Sequence, residues 1–81
     1  MSKVSIYTTP TCSYCHMAKS YFSQNNIEYK EYDVSKDQDK AHEMVHKTGQ
    51  MGVPVIVIGN EVIVGFDKQG IEMTLKEQGI I

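Results

Sequence analysis

The chain has 81 residues, ten acidic and eight basic side chains, and a formal net charge of −2. A chain of this length forms one domain, residues 1–81, with a modest hydrophobic core. All eight basic residues are lysines without a basic stripe, which argues against a nucleic-acid partner. The longest apolar run, residues 53–58, has the length of a strand, and the N-terminus shows no apolar signal segment. We therefore expect a monomer of the cytoplasm without a membrane segment.

The N-terminal half has the pattern of a strand, a helix and a second strand. Polar and apolar residues alternate from Lys3 to Tyr7, which predicts a strand that stops before Pro10. Residues 27–34 again have the pattern of a strand. Between these two predicted strands, apolar or small residues at helical spacing predict a helix over residues 13–24: Tyr14, Met17, Ala18, Tyr21 and Phe22. This half therefore predicts a parallel βαβ unit.

The C-terminal half predicts a helix, a hairpin and a last helix. Ser35, with a glutamine three residues later, has the form of a capping box for a helix that ends at Gly49. Two β-branched runs, residues 53–58 and 61–64, are joined by a glycine-containing turn, which predicts a hairpin whose first strand is central. Asp67 suits the cap of a helix that ends near residue 78. The predicted order is β-α-β-α-β-β-α, an α/β fold.

The only two cysteines, Cys12 and Cys15, lie where the first strand gives way to the first helix. Their spacing places both sulfur atoms on one face of the first turn, where a disulfide can form. Free backbone amides and the positive end of the helix dipole favour the thiolate of Cys12. We assign Cys12 as the nucleophile and Cys15 as the shielded, resolving thiol of a redox pair. Lys19, one turn beyond Cys15, is expected to be solvated and receives no role.

Two other kinds of site use the same cysteines. Together with His42 and His46 they have the C-x-x-C and H-x-x-x-H form of a metal site, although the gap between the pairs is much longer than in a zinc finger. We favour the interpretation that His42 and His46 lie on an exposed helix face and bind no metal. Residues 12–16 also match the C-x-x-C-H signature of covalent haem, against which the predicted hairpin and the absence of an export signal argue.

Three segments, Tyr7–Cys15, Gly52–Val55 and Gly65–Asp67, together resemble the glutaredoxin family of the thioredoxin superfamily. The resemblance covers nearly the whole chain. It implies a thioredoxin-like fold with a four-stranded mixed sheet, three helices, and a cis peptide between Val53 and Pro54 beside the dithiol. It further implies a reductase of protein disulfides or glutathione-mixed disulfides, with glutathione as co-substrate and no bound cofactor. For members that lack a proline between the cysteines, it also allows an iron–sulfur cluster held by Cys12 between subunits.

The resemblance also implies which residues contact the substrate. The backbone at Val53 pairs with bound peptide or glutathione, and the segment after the hairpin holds the γ-glutamyl end of glutathione at a helix N-terminus. The candidate substrate and glutathione contacts are Thr11, Tyr14, Val53, Pro54, Gly65, Phe66 and Asp67.

Several positions depart from the family pattern. Thr9 replaces a lysine that glutaredoxins commonly carry before the first cysteine, and Ser13 replaces the proline between the cysteines. Val64-Gly65 and Asp67-Lys68 replace a double glycine and a double aspartate. The pattern partly approaches the redoxins that serve ribonucleotide reductase, so both glutathione and thioredoxin reductase stay open as the electron source.

Overall fold

The computed structural model describes residues 3–81, so residues 1 and 2 of the predicted domain lie outside the described part. The four strands and three helices follow one another in the predicted order. They are β1 (Val4–Thr8), α1 (Ser13–Gln24), β2 (Lys30–Asp33), α2 (Gln38–Thr48), β3 (Val55–Ile58), β4 (Glu61–Val64) and α3 (Lys68–Glu77).

The strands form one mixed sheet in the order β2-β1-β3-β4. β1 runs parallel to β2 and antiparallel to β3, so that Ile6 is paired with Glu31 on one side and Ile56 on the other. β3 and β4 are the predicted antiparallel hairpin. β3 is central, as its run of β-branched residues predicted, because such a strand is buried on both faces. The predicted fold class is confirmed.

The helices divide the core into two clusters on opposite faces of the sheet. α1 and α3 cover one face, where Phe22 and Leu75 pack against Ile6 and Ile56. α2 covers the other face, where Met44 packs against Tyr7 and Val55. Ile6 and Tyr7 are neighbours on β1 and point to opposite faces, as the pleat of a strand requires. None of the helices in residues 3–81 is long and apolar enough to span a bilayer.

The start of α2 differs from the prediction. Its N-cap is Asp37, whose Oδ1 accepts a hydrogen bond from the backbone N–H of Lys40 at 3.1 Å. Ser35 was predicted to be the cap, but its hydroxyl and its backbone N–H both donate to Asp33 Oδ1. The C-terminal end is as predicted, with Gly49 in the left-handed conformation at φ +77°.

The second strand is shorter than predicted. Only Lys30–Asp33 pairs with β1, whereas the prediction began at residue 27. Asn26, with φ +56°, turns the chain out of α1, and Ile27 then packs into the core rather than joining the sheet. The buried residue explains why the pattern looked like a strand from this position.

Candidate active site

Cys12 is the N-cap of α1. Its Sγ accepts a hydrogen bond from the backbone N–H of Cys15 at 3.2 Å, and as a thiol it donates to the carbonyl oxygen of Val53, with Sγ and O 3.8 Å apart. Cys12 is partly exposed. Its sulfur therefore lies at the positive end of the helix, where backbone N–H groups favour negative charge, and remains within reach of a substrate.

Cys15 lies in the first turn of α1 and is completely buried. Burial raises the pKa of the Cys15 thiol to about 12, and the hydrogen bond with Cys12 acts in the same direction. A backbone hydrogen bond with Thr9 and the positive charge of Lys19 lower that pKa and offset part of the effect of burial. Cys15 is therefore a protonated thiol at neutral pH, shielded from solvent behind Cys12.

The loop before β3 supplies the third part of the site. The peptide bond between Val53 and Pro54 is cis, as the resemblance implied. Pro54 is buried, and its carbonyl oxygen accepts a hydrogen bond from the backbone N–H of Gly65 at 2.8 Å. Gly65 has φ +86°, a conformation that glycine adopts without strain. The loop beside Cys12 and the end of β4 are thus held together.

The segment after β4 lies along α1. Phe66 is partly buried, and its ring meets that of Tyr21 with centroids 6.5 Å apart and an angle of 64° between the planes. Asp67 is the N-cap of α3, where its carboxylate accepts from the backbone N–H of Gly70 at 3.2 Å, so its predicted capping position is correct. A groove of about 410 Å³ between α1 and this segment is bordered by His16 and Lys68, among others.

Thr11 and Tyr14 flank Cys12 in sequence and are both exposed. Tyr14 was predicted to belong to the apolar stripe of the helix or to a substrate surface, and 62% of it is accessible to solvent. The buried face of α1 is formed by Cys15, Ala18 and Phe22 instead. A contact of Thr11 or Tyr14 with substrate stays a prediction.

An ion pair that the sequence pattern did not predict involves Lys19, one helical turn after Cys15. Lys19 was expected to be solvated, but its side chain is only 22% exposed and its Nζ lies 2.9 Å from Glu31 Oε2. Thr8, which is buried, donates from Oγ1 to the same carboxylate oxygen at 2.8 Å. In the sequence, only the spacing of Lys19 from Cys15 indicated that its charge could lie near the dithiol. Its partner Glu31 could not be predicted before β2 was known to pair with β1.

A second contact that the sequence did not predict joins the loop before α1 to the helix. His16 Nε2 lies 3.0 Å from the carbonyl oxygen of Pro10 and donates to it in the tautomer that carries hydrogen on Nε2. The loop that holds Cys12 is therefore tied to the first turn of the helix.

The two alternative sites find no support in this arrangement. Within residues 3–81, no group of three or more histidine, cysteine or acidic side chains is placed to hold a metal ion. Cys12 caps α1 and Cys15 lies in its first turn, whereas His42 and His46 belong to α2, on the opposite face of the sheet. Covalent haem would need a thioether at Cys15, whose complete burial keeps it from a porphyrin unless α1 opens.

Comparisons with known proteins show which family this chain resembles. A family model described as Glutaredoxin matches residues 4–63. The chain is 38% identical over 74 residues to an uncharacterized glutaredoxin-like 8.6 kDa protein in the rubredoxin operon of Clostridium pasteurianum, covering 91% of this chain and 99% of that protein. It is 37% identical over 67 residues to glutaredoxin 3 of Escherichia coli K12, covering 83% of this chain and 81% of the relative.

Two solved structures illustrate the similarity in fold. The thioredoxin-like protein BC3987 superposes with a TM-score of 0.84 at 30% identity, covering 89% of this chain and 99% of that one. A buckwheat glutaredoxin–glutathione complex superposes with a TM-score of 0.77 at 26% identity, covering 98% of this chain and 81% of that one.

The thioredoxin-like fold and the dithiol at the start of α1 define a thiol–disulfide oxidoreductase. Within that class, the chain belongs to the glutaredoxin family, whose model covers most of its length.

Proposed function

We propose that this protein reduces disulfides of proteins and glutathione-mixed disulfides, with Cys12 as the attacking thiol and Cys15 as the resolving thiol. The observation that carries the proposal is the difference between the two sulfur environments. Cys12 is partly exposed at the N-terminus of α1, and Cys15 is buried one turn further along. An exchange reaction needs one accessible thiolate and a second thiol that stays protected until the first has reacted.

The first step is attack of the Cys12 thiolate on a substrate disulfide. A bond forms between Cys12 Sγ and one substrate sulfur, and the other substrate sulfur leaves with the electron pair and takes up a proton. The backbone N–H of Cys15, 3.2 Å from Cys12 Sγ, stabilises negative charge on that sulfur before the attack.

The second step frees the reduced substrate. Cys15 loses its proton and attacks Cys12 Sγ, the bond between Cys12 and the substrate breaks, and the substrate thiolate leaves and is protonated. The protein ends with a Cys12–Cys15 disulfide, and the substrate has gained two electrons and two protons. In the glutathione branch, a glutathione thiolate attacks the mixed disulfide in place of Cys15.

The proposed substrate contacts lie at the start of α1, in the loop before β3 and in the segment after β4. The backbone of Val53, whose carbonyl oxygen already faces Cys12, pairs with an extended substrate next to cis-Pro54. The first turn of α3 offers free N–H groups to the γ-glutamyl carboxylate of glutathione. Support comes from the buckwheat relative, which was solved with glutathione. The full proposed set is Thr11, Tyr14, Val53, Pro54, Gly65, Phe66 and Asp67.

Glutathione is the proposed co-substrate, and no bound cofactor takes part. Electrons come from glutathione with its reductase or from thioredoxin reductase. We place the protein in the cytoplasm, because a dithiol that must return to the reduced state after each turnover needs a reducing compartment. We further propose that it acts as a monomer.

The test is to oxidise the protein and to supply either glutathione with glutathione reductase or thioredoxin reductase, each with NADPH. We expect NADPH to be consumed in one system faster than in the other, and the faster system identifies the electron source. Cys12→Ser is the matched control and should consume none above background. The proposal fails if neither system reduces the oxidised protein, or if the Cys12→Ser variant supports the same rate.

A further inference from the structure

The second step of the proposed reaction asks a buried thiol to give up its proton. Cys15 is completely buried, and burial opposes the formation of its thiolate. Only the thiolate attacks, so a group that stabilises negative charge on Cys15 should increase the rate at which substrate is released. A nearby fixed positive charge is the most direct means.

Lys19 supplies such a charge from the same helix. It lies one turn after Cys15 on α1, and its side chain is largely buried against the sheet. Glu31 on β2 holds the ammonium group at 2.9 Å, and that carboxylate is in turn fixed by the hydroxyl of buried Thr8. Because an unrestrained lysine at a helix surface samples many rotamers, this anchoring keeps the charge near one position.

Within residues 3–81, a small set of ionisable groups has the largest effect on this pair. For Cys15 they are the Cys12 thiol and the Lys19 ammonium, with the backbone of Thr9 as a hydrogen-bond partner. Those that act on Lys19 are Glu31, Tyr29 and Cys15 itself. The hydrogen bond with Glu31 raises the pKa of Lys19 and lowers that of Glu31, so both stay charged at neutral pH.

We propose that Lys19 is a positioning residue for the resolving step, in which its ammonium group, held by Glu31, stabilises the Cys15 thiolate as it attacks Cys12. The inference rests on the proposed function, because it concerns only the second step of that mechanism. The bond formed is Cys12 Sγ–Cys15 Sγ, the bond broken joins Cys12 to the substrate, and the proton lost by Cys15 is balanced by the one taken up by the leaving thiolate.

The effect of Lys19 should therefore differ between substrates. Lys19 acts on Cys15, so it is needed where Cys15 resolves the mixed disulfide. It is not needed where a glutathione thiolate does so. Neutral substitution of Lys19 should therefore slow the reduction of protein disulfides and spare the turnover of glutathione-mixed disulfides in the Cys15→Ser background.

The test uses a symmetrical aromatic disulfide whose thiolate absorbs visible light, mixed with reduced protein in a stopped-flow instrument. One equivalent of reagent gives two phases. The first release of chromophore reports attack by Cys12, and the second reports attack by Cys15. The variants are Lys19→Gln, Lys19→Met and Lys19→Arg, and the matched control is Lys40→Gln. Lys40 also pairs with a glutamate and has a similar exposure of 30%, but does not act on Cys15.

We expect both neutral variants to slow the second phase at neutral pH and to leave the first phase unchanged. A tenfold loss of thiolate slows the step by only about three- to four-fold, because a more basic thiolate is also more nucleophilic. The rise of the second-phase rate with pH should move to more alkaline pH in Lys19→Gln and Lys19→Met. Lys19→Arg and Lys40→Gln should behave as the parent.

The inference is overturned if Lys19→Gln and Lys19→Met keep the parent's second phase, or if Lys40→Gln slows it equally. Equal slowing by Lys19→Arg also overturns it, because it would indicate lost packing rather than lost charge. If the parent itself shows no second phase, the proposed function fails and the inference fails with it. A normal parent with unaffected variants removes the inference alone.

Discussion

The backbone N–H of Cys15 donates a hydrogen bond to Cys12 Sγ at 3.2 Å, so the cap of α1 is the sulfur to which we assign the attack. Serine, threonine, aspartate and asparagine are the usual side chains at this position. A sulfur atom there is a weaker cap, and it receives a hydrogen bond from the backbone N–H of Cys15. The same contact therefore caps the helix and, in the proposed mechanism, stabilises the attacking sulfur.

The two cysteines should differ sharply when replaced. Cys12→Ser should abolish all turnover, because a serine hydroxyl stays protonated and does not attack disulfides. Cys15→Ser should keep activity only where glutathione can replace the resolving thiol. The measurement is turnover with a protein disulfide and with a glutathione-mixed disulfide. Equal loss of the glutathione-dependent activity in both variants would contradict the assigned roles.

Asp67 should affect glutathione binding as well as stability. It caps α3 at 3.2 Å, as Asp37 caps α2 at 3.1 Å, so each change to alanine should cost about 1 kcal/mol of folding free energy. Asp67→Ala should also weaken binding of glutathione, because the first turn that presents the free amides loses its cap. Calorimetric titration of both variants with glutathione measures this affinity. An equal loss of glutathione affinity in Asp37→Ala would contradict the prediction.

Gly59 is required by the hairpin turn. Its φ of +60° disfavours a side chain, and a Cβ there would lie 2.7 Å from Oε1 of Gln78. Gly59→Ala should therefore destabilise the fold by about 1 kcal/mol, most of it from the backbone, since the end of the Gln78 side chain can move. Gly52→Ala is the control, because its Cβ meets no atom within 4 Å. Urea unfolding that shows the same stability for both variants would contradict this.

Glu43 should contribute to the loss of stability in acid. Its carboxylate accepts a hydrogen bond from Tyr7 at 2.6 Å, and this bond, with that of Lys40, lowers the pKa of Glu43. A carboxyl with a lowered pKa in the folded state stabilises it above the unfolded pKa, about 4.3, and the contribution disappears as the pH falls through the folded value. The side chain is 42% exposed, so the effect should be below about 1 kcal/mol.

The measurement is the free energy of unfolding by urea at neutral and at strongly acidic pH. Glu43→Gln should show a smaller difference between the two conditions than the parent, because glutamine does not titrate. Glu77→Gln, an exposed position at the end of α3, should leave the difference unchanged. A parent-like pH dependence in Glu43→Gln would show that the contact with Tyr7 adds no stability.

Local patterns predicted most of the elements because their signals are short-range. The hairpin turn, the cap at Asp67 and the end of α2 at Gly49 each depend on one or two residues whose backbone preference is strong. The phase of α1 was harder to predict. Tyr14 and Met17 fitted a helical stripe, yet Cys15 takes the buried position and turns both to solvent, where Met17 is 49% exposed.

The surroundings of the dithiol were less predictable, since they depend on tertiary pairing. The Lys19–Glu31 pair exists because β2 lies beside β1 and α1 packs over that edge, which no local spacing indicates. The position of Gly65 against Pro54 likewise depends on the pairing of β3 with β4. The resemblance implied that the segments around Pro54 and Gly65 both contact the substrate. The hydrogen bond from the backbone N–H of Gly65 to the carbonyl oxygen of Pro54 shows how they meet.

The most direct test of the dithiol is the mass of the folded monomer after mild oxidation. Formation of a Cys12–Cys15 disulfide should lower the mass by the two thiol hydrogens, make both residues inert to an alkylating reagent, and be reversed by a dithiol reductant. Two alkylatable thiols and an unchanged mass after the same treatment would contradict a redox pair at the start of α1.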